Sequence, residues 1–345
     1  MLRSSPLRVS FIAGLSIAAI ASLVHCGGDD DNAAGSSSGN GSDGGSSSSG
    51  GSSGASGSSS GSSGGGDGGV DANKPPRCDP DKPFGTPVMV LENSFLIDQF
   101  SRLSPDELTL YFAGYGHNGV NGQAELWVAT RASTDVPFKN PTKISELSTP
   151  DESENNPTVT ADGLTIYYTG KGPGDSGYGI LKSTRASLSA PWGTPTLLTG
   201  LDLSMPYVSP DGKRLYGVKD LPGGPPYNAD LHYVDLPWDG GATQVIPGTA
   251  SAGLQYWPVM SADELTLYYS YPMILPYRWE LGIAKRASTS DPFGPVQKVN
   301  ELDVDGGADE DPHWISPDKC TLYFRRVNGE IPGNASGLLQ ATRGF

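Results

Sequence analysis

Residues 104–112 read Ser-Pro-Asp-Glu-Leu-Thr-Leu-Tyr-Phe, and variants of this stretch return four times, at 160–168, 209–216, 261–269 and 316–324. Each copy carries an aspartate at its third position, and successive aspartates are 56, 49, 52 and 55 residues apart. These aspartates are Asp106, Asp162, Asp211, Asp263 and Asp318. Self-similarity at a nearly constant period of this length is typical of a repeat architecture. Because the aspartate returns in every repeat, we interpret it as a turn former and not as a catalytic group.

Two further motifs keep phase with the turn. One has the form Leu-Trp-Val-Ala-Thr-Arg-Ala-Ser and begins at Leu126, Ile180 and Leu281, with a shorter copy at Leu338. The other is a Pro-Phe-Gly type, at 83–87, 137–141, 191–195 and 292–295. The third repeat is the weakest copy. The repeats extend over about 84–133, 138–187, 192–235, 238–288 and 293–343.

Each repeat predicts four short strands. The Ser/Thr-x-Asp turn separates the first strand from a second one rich in Thr, Leu, Tyr and Phe, which are strand-favouring residues. The two other motifs mark the third and fourth strands, and no segment has the 3.6-residue apolar period of a helix. Four-stranded antiparallel units repeated at about 50 residues predict an all-β fold, a five-bladed β-propeller.

The turn sequence also resembles a known family. The Ser-Pro-Asp-Gly turn followed by an apolar strand, clearest at 209–216, is similar to the WD40-like repeats of TolB-type periplasmic propellers. The resemblance covers essentially all of residues 74–345. It implies a propeller and an exported protein, and it implies no particular activity.

The two ends of the repeat region predict how the ring closes. The last repeat supplies three strands, while residues 86–91 form an orphan strand before the first complete repeat. Placing that N-terminal strand on the last blade gives five complete blades and leaves no open sheet edge. In this arrangement Cys78 and Cys320 lie at the same rim, so we expect a disulfide, with two unpaired thiols as the alternative.

The N-terminus predicts export. Residues 1–10 carry Arg3 and Arg8, and 11–24 form an apolar run too short for a comfortable membrane span, so we interpret 1–25 as a signal peptide. Residues 22–26 resemble a bacterial lipobox, which implies a lipid on Cys26, although His25 stands where Gly, Ala or Ser is usual. Ordinary cleavage after Ala21 is the alternative.

Residues 26–73 predict a flexible tether. Between Gly27 and Gly69 there are 17 Gly and 16 Ser among 43 residues, and such a segment has too little apolar surface to fold. We therefore expect a propeller of residues 74–345 anchored by lipid in the bacterial cell envelope. Gly27 after the cysteine favours the outer membrane, with the domain facing the periplasm or the cell surface.

The net charge of −15 argues against a partner that is a polyanion. Nucleic acids and anionic bilayers attract basic patches, so we expect no nucleic-acid binding and membrane contact through the N-terminal lipid only. We expect a monomer.

Candidate functional residues come from aligning the first strand of every repeat on its turn aspartate. Asp98, Glu154 and Glu310 stand eight positions before it, and Asn155, Tyr256 and Asp311 follow in the next position, with His313 nearby. Strands nearest a propeller axis bring their leading residues to the mouth of the central channel, so we expect these residues to converge there. Such a mouth can be a solvated acidic surface that contacts protein, a cation site or a catalytic pair.

The acidic loop 303–311 is the other candidate. Asp303, Asp305 and Asp309 give it the oxygen density of a calcium site without the EF-hand spacing, and no other cofactor is expected. His117, His232 and His313 have no zinc-like spacing, and no Gly-x-Ser-x-Gly motif occurs. No catalytic residue is assigned. The leading hypothesis is a non-catalytic binding platform for an envelope protein or glycan; the alternative is a glycan-cleaving enzyme using the carboxylates at the mouth.

Overall fold

The computed structural model describes residues 77–91, 97–114, 123–150, 152–172, 177–221, 228–249, 254–274, 277–303, 308–327 and 336–345. The predicted signal peptide, lipidation site and tether lie outside these residues. All described residues belong to the unit Ser62–Phe345. Within them, no helix has both the length and the apolar character needed to cross a membrane.

The described residues form twenty strands arranged in five four-stranded antiparallel sheets. Blade 1 contains β2 (Ile97–Leu103), β3 (Thr109–Gly114), β4 (Glu125–Thr130) and β5 (Lys139–Lys143). Blade 2 contains β6 (Asn155–Val159), β7 (Thr165–Gly170), β8 (Gly179–Thr184) and β9 (Thr196–Leu197). Blade 3 contains β10 (Ser204–Val208), β11 (Arg214–Asp220), β12 (Ala229–Asp235) and β13 (Gln244–Val245). Blade 4 contains β14 (Tyr256–Met260), β15 (Thr266–Ile274), β16 (Tyr277–Lys285) and β17 (Gln297–Lys298).

Blade 5 combines the two ends of the domain. Its strands are β18 (Asp309–Ile315), β19 (Thr321–Val327), β20 (Ser336–Thr342) and the N-terminal β1 (Val88–Met89), which pairs with β20. The first strand of each blade, β2, β6, β10, β14 or β18, contacts the first strand of the next blade, and β18 contacts β2. We call these five the inner strands. Because the contacts form a closed ring, the predicted five-bladed propeller with an N-terminal closing strand is confirmed.

A disulfide accompanies this closure. The sulfurs of Cys78 and Cys320 are bonded, and their Cα atoms lie 5.7 Å apart although the residues are 242 positions apart in sequence. Both side chains are buried. Beside them, Arg77 donates to Asp318 at 2.6 Å and lies 2.5 Å from Glu107. The segment before β1 is therefore held to blade 5 by a covalent bond and to blades 5 and 1 by ion pairs.

The repeated aspartates build the turns after the inner strands. In each turn one carboxylate oxygen accepts from a Ser or Thr hydroxyl two residues earlier and from the backbone N–H two residues later. At Asp162 these distances are 2.6 and 2.9 Å. The next residue adopts a positive φ, 70° at Gly163 and 71° at Gly212, which explains why glycine recurs there.

The repeated arginines explain why two motifs recur together. Each guanidinium lies over the aromatic ring of a Pro-Phe-Gly type motif, at 3.8 to 4.5 Å from the ring centroid: Arg131 over Phe138, Arg185 over Trp192, Arg286 over Phe293 and Arg343 over Phe84. Three of them also donate to a tyrosine hydroxyl of the neighbouring blade. Arg131, Arg185 and Arg343 therefore link neighbouring blades.

Candidate functional site

The inner strands share a bulge that sets the shape of the central channel. Phe100, Asn156, Met205 and Trp257 each stand six positions before a turn aspartate, and each has a φ between 53° and 61°. The pairing of the inner strand with the second strand of its blade shifts register at this place. A positive φ is uncommon for residues other than glycine, so its return in four blades marks a requirement of the fold.

Aromatic side chains from three successive blades meet at the bulge. The ring of Phe100 in blade 1 lies 5.3 Å from that of Trp257 in blade 4 and 5.4 Å from that of His313 in blade 5. Phe100 and His313 are buried. We call Phe100, Trp257 and His313 the channel plug, because their rings meet where inner strands of three blades come together.

His313 is neutral in this setting. Its Nδ1 accepts a hydrogen bond from the backbone N–H of Ser101 at 3.1 Å and lies 2.8 Å from the Ser101 hydroxyl. Its Nε2 is buried without a hydrogen-bond partner. Burial, together with the cations Arg102 and Arg325, holds the pKa of His313 well below its usual value. The ring therefore packs as an uncharged member of the plug.

The two blade 5 carboxylates that we predicted at the mouth, Glu310 and Asp311, are both paired with arginines of β19. The Asp311 carboxylate receives Arg325 Nε at 2.9 Å and Nη2 at 2.7 Å, and Ser270 Oγ donates to it at 3.3 Å. Glu310 Oε1 receives Arg326 Nε at 2.9 Å and Nη2 at 2.7 Å. Burial outweighs these contacts and raises the pKa of Glu310 to about 7 and that of Asp311 to about 6.

Glu154 has a different environment. Its side chain is 0% exposed; Oε1 accepts from the Thr149 N–H at 3.0 Å, and Oε2 has no partner. Burial raises the pKa of Glu154 to about 8, and the neighbouring charge of Glu125 adds to the shift. At neutral pH this carboxyl group is therefore largely protonated.

The structure brings some of the predicted mouth residues together and separates others. Tyr256 stacks on Trp257 at 5.7 Å and on Trp279 at 5.1 Å, and the Arg325 guanidinium that pairs with Asp311 lies 6.0 Å from the Trp257 ring. Tyr256 and the Asp311–Arg325 pair thus lie beside the plug, and His313 is part of it. Glu310 and Glu154 belong to separate hydrogen-bond networks, and Asn155 pairs with Thr169 across blade 2. Asp98 lies in β2, but its side chain is outside the described atoms.

The acidic loop has cationic neighbours. Asp303 Oδ2 lies 2.7 Å from Lys298 Nζ and Oδ1 lies 3.6 Å from Arg278 Nη2, while Asp309 Oδ1 accepts from the Trp279 N–H at 2.8 Å. Asp305 lies outside the described residues. In the part of the chain that the structure describes, no group of three or more His, Cys, Asp or Glu side chains could hold a metal ion.

A second site, missed by sequence reasoning, lies at the opposite end of the channel. The end near the Ser/Thr-x-Asp turns has a small pocket of about 50 Å³, lined by residues of all five blades. Arg102 lines it and is 4% exposed. One signal was available: the position four residues before the turn aspartate is Arg102 in blade 1 but Thr158, Tyr207, Val259 and Trp314 in the others. A single charge at a position that is otherwise uncharged marks a departure from the repeat.

The chain has been compared with known proteins. No protein-family model and no curated protein matches the sequence. Solved structures similar to it include TolB from Acinetobacter baumannii, at 13% identity and a TM-score of 0.44, over 71% of this chain and 54% of that chain. The chain thus spans about half the length of that protein. A putative TolB from Agrobacterium tumefaciens is 16% identical, with a TM-score of 0.43 over 71% of this chain and 74% of that chain.

The similar structures also include an enzyme. An α-L-arabinofuranosidase from Podospora anserina, in complex with cellotriose, is 9% identical, with a TM-score of 0.46 over 77% of this chain and 98% of that chain. At such identities and TM-scores these similarities say nothing about activity. The chain is a five-bladed β-propeller on the pairing of its own strands.

Proposed function

We propose that this protein is a non-catalytic binding platform of the bacterial cell envelope, anchored by a lipid on Cys26, whose ligand is an envelope protein or a glycan. The observation that supports this is that the carboxylates predicted at the channel mouth are already paired with arginines. Glu310 and Asp311 are each paired with an arginine, and the rings of Phe100 and Trp257 meet between blades 1 and 4. A glycosidase needs two carboxyl groups that flank a cleft open to a sugar chain.

The aromatic residues beside the plug supply a surface for binding. Tyr256, Trp257 and Trp279 are half-buried and lie with ring centroids 5.1 to 5.7 Å apart. Rigid aromatic groups next to a cation are frequent anchors in protein interfaces and also stack on sugar rings. We infer that a ligand contacts this cluster.

Affinity capture of the tagged, lipidated protein from gently solubilised envelopes, with polysaccharide co-sedimentation in parallel, tests the proposal. We expect one stoichiometric protein or one polysaccharide to be retained, and the Trp279→Ala variant to lose it. Tyr233→Ala, which removes a half-buried tyrosine from β12, is the matched control and should retain it. Retention of the ligand by Trp279→Ala would refute the assigned surface.

The glycosidase alternative is supported by Glu154. A general acid must be protonated at working pH, and a pKa of about 8 meets that need. Screening for release of reducing sugar from envelope and extracellular polysaccharides distinguishes the two functions. Hydrolysis that disappears in Glu154→Gln would overturn the non-catalytic proposal.

The anchor has its own test. Cys26→Ser should move the exported protein from the membrane fraction to the soluble periplasmic fraction, since a serine cannot carry the thioether-linked lipid. Fractionation followed by immunoblotting measures this. Continued membrane association of the variant would contradict a lipid on Cys26.

A further inference from the structure

Arg102 is a buried cation without an acidic partner. Its Nη1 donates to the carbonyl oxygens of Ser101, at 3.1 Å, and His313. Its guanidinium carbon lies 4.9 Å from the centroid of the Tyr207 ring, and its Nε has no hydrogen-bond partner. No carboxylate among the described residues forms an ion pair with it.

Such a group is costly in the free protein. A buried charge that lacks a counter-ion loses its hydration and gains little in return. Burial accordingly lowers the pKa of Arg102 to about 10. The His313 side chain, whose backbone carbonyl accepts from Arg102, is uncharged and supplies no compensation. An anion that reached Arg102 would recover part of this cost.

The pocket gives an anion a route from the turn end of the channel. Its lining comes from the segments 102–105, 158–161, 207–210 and 314–317, together with Ala262. Most of the lining side chains are apolar, among them Leu103, Val159, Val208 and Ile315. One cation and apolar walls fit a single negative charge carried on a small apolar stem.

A groove leads outward from this pocket. A second depression shares Pro105, Val159 and Ala161 with it and continues between blades 1 and 2 to Leu188, whose side chain is 67% exposed. Asp106 and Asp162 also line the groove. Among the residues that line the pocket and the groove, Asp106 and Asp162 are acidic and Arg102, at the inner end, is the cation. Arg185 lies behind the groove wall, where its guanidinium is already used in hydrogen bonds to Gly163, Leu188 and Tyr111. That pattern suits a peptide whose negative charge is confined to its terminal carboxylate.

We propose that the turn end of the channel binds the C-terminal carboxylate of an extended peptide, with Arg102 as the counter-ion and the groove between blades 1 and 2 holding the preceding residues. This site lies at the end of the channel opposite to the aromatic cluster and does not depend on the function proposed for that cluster. A carboxylate is favoured over phosphate because Arg102 supplies one positive charge and the walls supply few donors.

Calorimetric titration of the full exported protein with N-acetyl-trialanine as the free acid and as the C-terminal amide tests the site. We expect the acid to bind at least about 10-fold more tightly, which corresponds to about 1.4 kcal/mol. In Arg102→Met the acid and the amide should bind equally. Lys182→Met, which removes one positive charge from β8 outside the pocket, should keep the preference.

A second variant tests the site without removing Arg102, so that the result does not depend on whether Arg102→Met folds. Val159→Trp fills the junction of pocket and groove while leaving Arg102 in place, and it should weaken binding of the acid. Equal binding of acid and amide by the wild-type protein, or a preference that survives in Arg102→Met, overturns the proposal. If sodium propionate binds at Arg102 and the free-acid peptide does not, the site takes a small free carboxylate, and the proposal of a peptide ligand is overturned.

Discussion

Replacing both cysteines of the disulfide, Cys78→Ala with Cys320→Ala, should strongly destabilise the propeller while leaving its fold intact. The bond joins residues separated by 242 positions, so it restricts nearly the whole domain in the unfolded state. The native state keeps other contacts at the same place. Arg77 still pairs with Asp318 and Glu107, and β1 still pairs with β20.

The magnitude follows from chain entropy. Closing a loop of 242 residues lowers the conformational entropy of the unfolded chain by about 18 cal/mol/K. At 25 °C this raises the free energy of the unfolded state by about 5.5 kcal/mol. Domains typically have unfolding free energies of about 5–15 kcal/mol. The double variant should therefore lose a large share of its stability, and we expect a loss of about 4–5 kcal/mol after small relaxations in the native state.

Urea unfolding of the full exported protein, followed by tryptophan fluorescence, measures this loss. The oxidised wild type should unfold at much higher urea than the double variant, and wild type reduced while unfolded and then refolded should match the variant. A change below about 1 kcal/mol would refute the argument, because the bond would then not restrict the unfolded chain as its loop length requires.

Three further changes probe the buried charges. Arg326→Met leaves Glu310 buried without its partner and should cost about 3–5 kcal/mol, whereas adding Glu310→Gln should recover much of the loss; urea unfolding of both variants checks this. Because burial raises the pKa of Glu154 to about 8, the folded protein holds this proton more tightly than the unfolded chain, so wild-type stability should fall between pH 5 and pH 8. Glu154→Gln should flatten that decline, and an unchanged slope would show that Glu154 does not cause it. Although burial opposes ionisation of Asp318, hydrogen bonds from Arg77 and Ser316 lower its pKa to about 2, so its contribution is present above about pH 4 and is lost as the pH falls towards 2. At pH 7 Asp318→Ala should therefore cost more than Asp162→Ala, which breaks a turn whose aspartate has no ion pair with an arginine among the described residues. Equal costs would contradict a role for Arg77.

The fold was readable from sequence because its determinants are local and repeated. A turn aspartate bonds atoms within two residues of itself, so Asp162 and Asp211 predict their turns without knowledge of the rest of the chain. The orphan strand at 86–91 predicted the closure of the ring, since a closed propeller needs a fourth strand for blade 5. The link between Arg185 and Trp192 was visible only as two motifs in phase, and the structure shows that it is a stacking contact.

The candidate site was predicted less completely. Counting back from the turn placed Glu310 and Asp311 near the channel, but their arginine partners lie on β19, where strand register sets Glu310 opposite Arg326 and Asp311 opposite Arg325. Glu154 stood in the same alignment, yet its deep burial depends on neighbours such as Thr149 and Gly170. Charge in the sequence therefore located acidic residues without saying which ones are neutralised.

The sequence by itself determined the number of blades and the turns, because each follows from residues a few positions apart and recurs five times. It also identified the strand that closes the ring, because the last repeat supplies only three strands and one strand precedes the first repeat. The tertiary structure alone decided which charges at the channel are compensated. Glu310 meets an arginine on the neighbouring strand, whereas Arg102, in one blade, faces Tyr207 and His313 from two others and meets no acid among the described residues. The two contacts of Arg102 join residues 105 and 211 positions apart, so they are set by the packing of the closed ring.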